Sequence, residues 1–215
     1  MRYWIGIVFA IGIASGGVLA QDLPRSLFLV ARPGMNDPNF RESVVLVTPD
    51  DAGGAIGIII NRPTDRSLAS ILPGDRFSHF TEPVFFGGPV APNGIVALFR
   101  ADKNPGDAIR MFPGLFLALT PATIDELLSR PPSTMRLYSG YSGWAPGQVQ
   151  IEMRIGGWYA LDADSQTVFR KDVQNIWQDL VRRALLVHAG DRAPAGEPAA
   201  FGSPQRLVKS TMSWR

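Results

Sequence analysis

The stretch GYSGWAPGQ, residues 140–148, decides how the rest of this chain is interpreted. Its three glycines and Pro146 mark backbone that turns sharply or lets another group approach closely. Tyr141 and Trp144 lie inside this cluster, and large amphipathic rings in such a setting anchor a loop to the core. We therefore predict a rigid, packed loop in which Trp144 is a buried structural anchor.

Reactive groups are scarce both in this stretch and in the whole chain. Residues 140–148 contain no His, Cys, Asp or Glu, and Ser142 lacks the G-x-S-x-G spacing of a nucleophile elbow. The two histidines, His79 and His188, are far apart in sequence, which disfavours a Ser-His-Asp site or a zinc site. Cysteine is absent, which excludes disulfide and thiolate chemistry. The sequence thus predicts no catalytic residue, no metal ligand and no cofactor.

The first 20 residues have the layout of a secretory signal peptide. A short positive start at Arg2 precedes an apolar run, and Val18 and Ala20 occupy the −3 and −1 positions of a cleavage site. The run is short for a spanning helix and ends at the polar Gln21. We predict cleavage after Ala20, a periplasmic or secreted mature protein, and no membrane span after cleavage; an uncleaved anchor is the alternative.

Residues 21–188 are predicted to form one domain, followed by a disordered tail at 189–215 that is rich in Pro, Gly and Ala. The whole chain has a net charge of +2, but residues 21–188 hold 16 Lys and Arg against 17 Asp and Glu, a net charge of −1. A domain near neutrality lacks the electrostatic footprint of duplex binding. A nucleic-acid partner and a DNA-binding regulator are therefore disfavoured.

The first half of the domain predicts a strand followed by a β-hairpin. Residues 26–31 have strand propensity, and residues 44–48 and 55–60 flank a turn. The last of these runs, AIGIII, is apolar on both faces, which is typical of a central strand. Gly57 within it indicates a bulge or a close neighbour.

The second half predicts further strands at residues 83–86, 95–100, 115–119, 135–139 and 158–161. We expect 83–86 and 95–100 to pair, and residues 101–114 to be loop. Thr120 and Pro121 predict a helix start. Asp172 predicts the cap of a last helix whose buried stripe is Ile176, Trp177, Leu180, Ala184 and Leu185. Residues 149–155 alternate like a strand but also share a helical face, and the alternation alone favours the strand.

Four stretches together carry a resemblance to a known family: ARPGMNDPNF at 31–40, GAIGIIINRP at 54–63, FGGPV at 86–90 and GYSGWAPGQ at 140–148. In this order and at these spacings the chain resembles the YqgE/AlgH family of bacterial proteins over about residues 26–187. The resemblance implies an α/β (α+β) fold with a bifurcated mixed sheet that closes into a pseudo-barrel with flanking helices.

The same resemblance implies a helix after GWAPGQ, so residues 147–154 are predicted to be helical in place of the strand. It implies little about function, because the biochemical activity of the family is not established, although its name is similar to that of an alginate-biosynthesis regulator. Family members generally lack a signal peptide, and the predicted export of this chain departs from that pattern.

Seven residues are candidates for a binding site. Arg32, Asn61 and Arg62 each end a predicted strand beside a proline, which groups them at one sheet edge as an anion or peptide pocket. The alternative is that they hydrogen-bond loop carbonyls. The remaining candidates belong to the glycine-rich stretch and the helix after it, and they are Tyr141, Trp144, Gln148 and Glu152. Glu152 lies one helical turn beyond Gln148 and is predicted to pair with one of the arginines.

These observations predict a non-catalytic binding or regulatory protein whose groove beside GYSGWAPGQ takes an unknown protein partner or small ligand. The alternative class is an unrecognised hydrolase that activates water with a carboxylate. That alternative requires a second carboxylate within catalytic reach of Glu152 or Asp37 in a pocket.

Overall fold

The structure is a computed structural model that describes residues 25–190. The predicted signal peptide at 1–20 and most of the predicted tail at 189–215 lie outside the described residues. The last helix continues to Gly190, so the folded part extends two residues beyond the predicted boundary at 188. Among residues 25–190, no helix combines the length and the apolar character needed to cross a bilayer.

One mixed sheet dominates the described part of the chain. Its strands are β1 (Leu27–Ala31), β2 (Val44–Pro49), β3 (Ala55–Ile59), β4 (Pro63–Ser67), β5 (Pro83–Phe86), β6 (Val90–Arg100), β7 (Ile109–Phe112), β8 (Leu115–Ala118), β9 (Met135–Trp144) and β10 (Trp158–Asp162). The helices are α1 (Leu68–Ile71), α2 (Pro121–Ser129), α3 (Gln148–Arg154), α4 (Ser165–Val168) and α5 (Ile176–Gly190), with a 3-10 turn at Asp75–Phe77. The main path runs β10-β1-β2-β3-β9-β6-β8-β7, and β4 and β5 branch from it.

The sheet divides at β9. One edge of β9 pairs with β6, while the other edge is shared between β5, which pairs in parallel at Tyr138 and Ser139, and β3, which pairs at Ser142 to Trp144. The prediction of a loop over residues 140–148 is therefore wrong for Gly140 to Trp144, which are strand. Only residues 145–147 connect β9 to α3.

Glycine is required at this division because three backbones meet there. A Cβ on Gly140 would lie 2.4 Å from the carbonyl oxygen of Gly88, and Gly140 has a φ of 70°. The carbonyl of Gly87 accepts the backbone N–H of Ile59 at 2.9 Å and the hydroxyl of Ser142 at 3.2 Å. We call residues 87–88 and 139–142 the fork. The glycines that suggest a loop instead let neighbouring chains approach a strand.

The α+β class and the bifurcated mixed sheet are confirmed, but the predicted closure into a pseudo-barrel is wrong for the described residues. The path ends at β10 and β7, which do not pair with each other. Near β7, the hydroxyl of Ser26 donates to the carbonyl of Met111. This side-chain hydrogen bond does not replace the backbone ladder that a closed barrel requires.

The first three strands are buried on both faces, as AIGIII predicts for β3. Even-numbered side chains such as Phe28 and Leu46 pack into a core with α5, whereas odd-numbered ones such as Leu29 and Val45 pack with Trp144 and α3. A third cluster lies between α2 and strands β6, β8 and β9. Of the two features described below, the one built around Trp144 lies on the α3 side of β1–β3, whereas the other is lined in part by residues of α5.

Strand pairing in the second half differs from the prediction in two respects. β5 pairs with β4 and β9, not with β6, because Gly87 and Gly88 lead the chain across the fork before β6 begins. The predicted loop at 101–114 contains β7, whose strand character is weak in the sequence because Pro105 and Pro113 bracket only a few residues.

The helices follow the prediction more closely. Thr120 caps α2, and α3 forms where the resemblance places it. Asp172 does not cap α5, since its carboxylate accepts hydrogen bonds from the side chains of Asn175 and Arg170 and the helix begins at Ile176. Leu185 is 51% exposed and does not belong to the buried stripe.

Candidate functional site

A carboxylate held by three N–H donors lies beside the end of β9. Glu152 Oε2 accepts a hydrogen bond from the indole Nε1 of Trp144 at 3.0 Å and another from that of Trp158 at 2.8 Å. Its Oε1 accepts a hydrogen bond from Gln148 Nε2 at 2.8 Å. Indole N–H groups can only donate, so Glu152 serves as their shared acceptor. We call these four residues the carboxylate cage.

The local sequence directs Glu152 back toward the strand that precedes its helix. Gly147 adopts a left-handed conformation with a φ of 76°, which turns the chain from β9 into α3. Gln148 Oε1 accepts the backbone N–H of Ala145 at 3.0 Å and so fixes this turn. Because Gln148 and Glu152 are four residues apart, they share one face of α3. That face meets the ring of Trp144.

Aromatic packing completes the cage. Trp144 is 5% exposed, as its predicted role as an anchor requires, and its ring centroid lies 5.9 Å from that of Phe40 and 6.4 Å from that of Trp158. Atom Cζ3 of Trp144 lies 3.2 Å from the place where a side chain on Gly57 would begin. The close neighbours predicted for Gly57 are the carbonyl oxygen of Leu46 and Cγ1 of Val45, each 2.9 Å from that place, together with this indole. The cage is a packed structural unit.

Asn61 and Arg62 fasten the loop between β1 and β2, residues 32–43. The guanidinium of Arg62 donates to three carbonyls of this loop, among them that of Asn39 at 2.5 Å. Asn61 accepts the first backbone N–H of β2 at 2.8 Å and donates to the carbonyl of Glu42 at 3.0 Å. These contacts agree with the alternative in which both side chains hydrogen-bond loop carbonyls.

Arg32 and Tyr141 lie apart from those two groups. The guanidinium of Arg32 stacks on the ring of Tyr159 at 4.3 Å, and its Nε is buried without a hydrogen-bond partner among residues 25–190. Tyr141 pairs with Val90 of β6 and packs against the core on the α5 side. The seven candidates are therefore not brought together in one pocket.

A groove opens where the loop at 32–43 meets the start of α5. Its cavity volume is 380 Å³, and it is lined by Pro38, by the indole of Trp177 and by charged and amide side chains, namely those of Arg41, Glu42, Asn61, Arg62, Gln174 and Gln178. We call this the polar groove. Burial lowers the pKa of Arg62, and the positive charge of Arg41 lowers it further, while Asp37 and Glu42 oppose the shift. Groups of both signs thus surround one space.

The two candidate carboxylates are engaged in ordinary structural contacts. Both oxygens of Glu152 accept hydrogen bonds within the cage, and Asp37 Oδ1 accepts the backbone N–H of Asn39 at 2.8 Å. The predicted pairing of Glu152 with an arginine is wrong, because indole and amide donors surround the carboxylate instead. Within the described part of the chain, no three His, Asp or Glu side chains gather as a metal ion requires.

The sequence predictions did not include Trp158 in the cage, and of the groove lining they included only Asn61 and Arg62. Trp158 follows the Gly156–Gly157 turn that returns the chain from α3, so its place beside Glu152 was open to inference from that short connection. Trp177 and Gln178 carry no such signal, because α5 reaches the groove only through tertiary packing on β1. The contact that fixes it there is the hydrogen bond from Trp177 Nε1 to the carbonyl of Ala31, at 2.7 Å.

Comparison with known sequences gives a consistent assignment. The model of the AlgH-like family matches residues 28–187. A UPF0301 protein of Anaeromyxobacter dehalogenans is 35% identical over 187 residues, which cover 80% of this chain and 95% of the relative. A UPF0301 protein of Chlorobaculum tepidum is 31% identical over 157 residues, which cover 72% of this chain and 83% of the relative.

Solved structures share the fold. The solution structure of the AlgH protein from Pseudomonas aeruginosa has a TM-score of 0.62 and 24% identity, and the match covers 80% of this chain and 95% of that one. The crystal structure of protein DIP2367 from Corynebacterium diphtheriae has a TM-score of 0.60 and 25% identity. This match covers 74% of this chain and 86% of that one. By its sequence and its fold, this chain belongs to the AlgH-like family of UPF0301 proteins.

Proposed function

We propose that this protein is an exported, non-catalytic binding protein that takes a small polar ligand or a protein segment in the polar groove. The observation that carries the proposal is the way Asn61 and Arg62 hold the loop at 32–43 open against α5 through hydrogen bonds to its backbone. A cavity of 380 Å³ lies within the range of about 300–1,000 Å³ typical of small-ligand sites. A groove shaped in this way is preorganised for binding.

Non-catalytic binding also agrees with the chemistry of the carboxylate cage. A general base needs a lone pair directed at the proton that it abstracts. The oxygens of Glu152 instead accept three N–H groups from the protein, which ties this carboxylate to the packing of Trp144 and Trp158. The groove therefore supplies the binding space, whereas the cage has a structural role.

Export is tested by the mass of the protein that the native host accumulates. We expect the mature chain to begin at Gln21, because small residues precede that position as a signal peptidase requires. Intact-mass analysis of the periplasmic and culture fractions checks this. A chain that retains residues 1–20, or that stays in the cytosol, contradicts the proposed export.

Binding in the groove is tested by blocking it. Gln178→Trp places an indole in the groove, and Gln166→Trp, at an exposed position on α4, is the matched control. In a two-dimensional NMR screen of a polar fragment library, we expect hits that shift signals of groove residues and bind Gln178→Trp at least about tenfold more weakly. The proposal fails if hits bind the blocked variant as well as they bind the parent protein.

A further inference from the structure

We infer that the polar groove recognises a zwitterion, an amino acid or short peptide whose free carboxylate meets Arg41 and whose free ammonium meets Glu42. This inference rests on the proposed function, because it names the ligand class of the same groove. It starts from two neighbouring side chains of opposite charge that line the groove and are left without partners by the protein.

Arg41 and Glu42 are unpaired although carboxylates and guanidinium groups surround them. Within residues 25–190, neither side chain makes a hydrogen bond or an ion pair. Some other exposed arginines do pair, for example Arg25 with Asp162 at 2.7 Å. The groove thus presents one cation and one anion whose bonding capacity is open to a ligand.

The backbone at these two residues is held in an uncommon conformation. Glu42 has a φ of 56°, a left-handed geometry that strains a residue with a side chain. Asn61 donates to the carbonyl of Glu42 and Arg62 to that of Arg41, so two hydrogen bonds maintain the strained segment. Such strain persists where surrounding contacts over-determine it, and both residues line the groove.

The charge balance of the groove favours a zwitterion over a simple anion. Arg62 already donates to loop carbonyls, so the charges of the lining that remain for a ligand are those of Arg41 and Glu42. An inorganic anion gains attraction from the arginines and suffers repulsion from Glu42. A zwitterionic ligand is attracted by both the arginines and Glu42.

Amide groups in the lining suit the body of such a ligand. Gln178 is exposed in the groove and has both a donor and an acceptor to offer a peptide group. The indole of Trp177 is fixed by its bond to the carbonyl of Ala31, so its ring forms an immobile wall for apolar atoms. These groups favour a peptide over a free amino acid, because only a peptide has a backbone amide that Gln178 can bind.

Titration with matched probes tests the inference. The protein used is the form that is purified from the native host after any processing there. The probes are alanine, trialanine, N-acetyl-trialanine and trialanine amide. Their binding is followed at low ionic strength by NMR of the ¹⁵N-labelled protein. We expect trialanine to give saturable shifts at residues 41, 42 and 178, and each blocked terminus to weaken binding at least about tenfold. Alanine binding as tightly as trialanine would assign the groove to free amino acids within the same class.

Two variants connect each terminus of the probe to one side chain. In Arg41→Gln, trialanine and its amide should bind equally weakly, and in Glu42→Gln the same should hold for trialanine and its N-acetyl form. Arg110→Gln and Glu82→Gln, at exposed positions outside the groove, are the controls and should keep the discrimination. Equal binding of all four probes, or no saturable shift, overturns the inference. If other compounds still shift the signals of groove residues, the proposed binding function remains supported and only the zwitterion as its ligand is excluded.

Discussion

Trp144→Ala is expected to lower the free energy of unfolding by about 3–5 kcal/mol, as truncation of a buried tryptophan does in other cores. Trp144 is 5% exposed and packs against Phe40 and Trp158. Its removal leaves a cavity above Gly57 and takes one donor from Glu152. A typical domain has a stability of only about 5–15 kcal/mol, so the loss is a large part of the total.

Urea denaturation followed by far-UV circular dichroism measures this loss, because the signal does not depend on the deleted indole. Trp144→Phe is the matched control, since it keeps an aromatic ring and loses the hydrogen bond to Glu152, and it should cost less than Trp144→Ala. A midpoint and an m-value equal to those of the parent in Trp144→Ala would contradict the anchor role and make this indole a ligand platform.

Gly140→Ala is expected to cost at least about 3 kcal/mol, from two effects at one position. A left-handed residue with a side chain is strained by about 1–2 kcal/mol, and Gly140 has a φ of 70°. The added Cβ would also lie 2.4 Å from the carbonyl oxygen of Gly88 and 2.8 Å from that of Val90. Relief of these contacts requires the fork to open, which disturbs the pairing of β9 with its neighbours.

Gly34→Ala separates the two effects. Gly34 has a φ of 88°, and a Cβ there has no atom within 4 Å, so this variant reports the backbone strain alone. Thermal and urea unfolding of both variants should show a clearly larger loss for Gly140→Ala. Equal losses would mean that the backbones at the fork are not in close contact, and the explanation of its glycines would be wrong.

The sequence predicts those parts of the fold in which local pattern and burial coincide. β1 to β3 are apolar on both faces and form the buried centre of their branch, and Thr120 both precedes a helix and caps it. The pattern fails at α3, where Ile151 and Ile155 are 52% and 78% exposed, so their alternation carries no information about a buried face. The family resemblance predicts the helix correctly, because the fold of a family already reflects its tertiary packing.

The candidate site was only partly accessible for the same reason. Trp144, Gln148 and Glu152 are close in sequence, and their contact follows from the helix that begins after Gly147. The predicted pairing of Glu152 with an arginine was wrong because Arg62 donates to loop carbonyls instead. This contact depends on where the loop at 32–43 lies. The left-handed conformation at Glu42 likewise has no signal in the residue type, since glutamate is uncommon there.

The position of the fork has a consequence for the order in which the chain acquires its structure. β9 follows β3, β5 and β6 in the sequence, yet all three use it as a partner, so their edges stay unpaired until residue 144 has left the ribosome. Topologies dominated by such non-local pairs fold slowly, because long loops must close before the contacts form. Each of β3, β5 and β6 therefore keeps one unpaired edge until β9, the ninth of the ten strands of the described residues, has been synthesised.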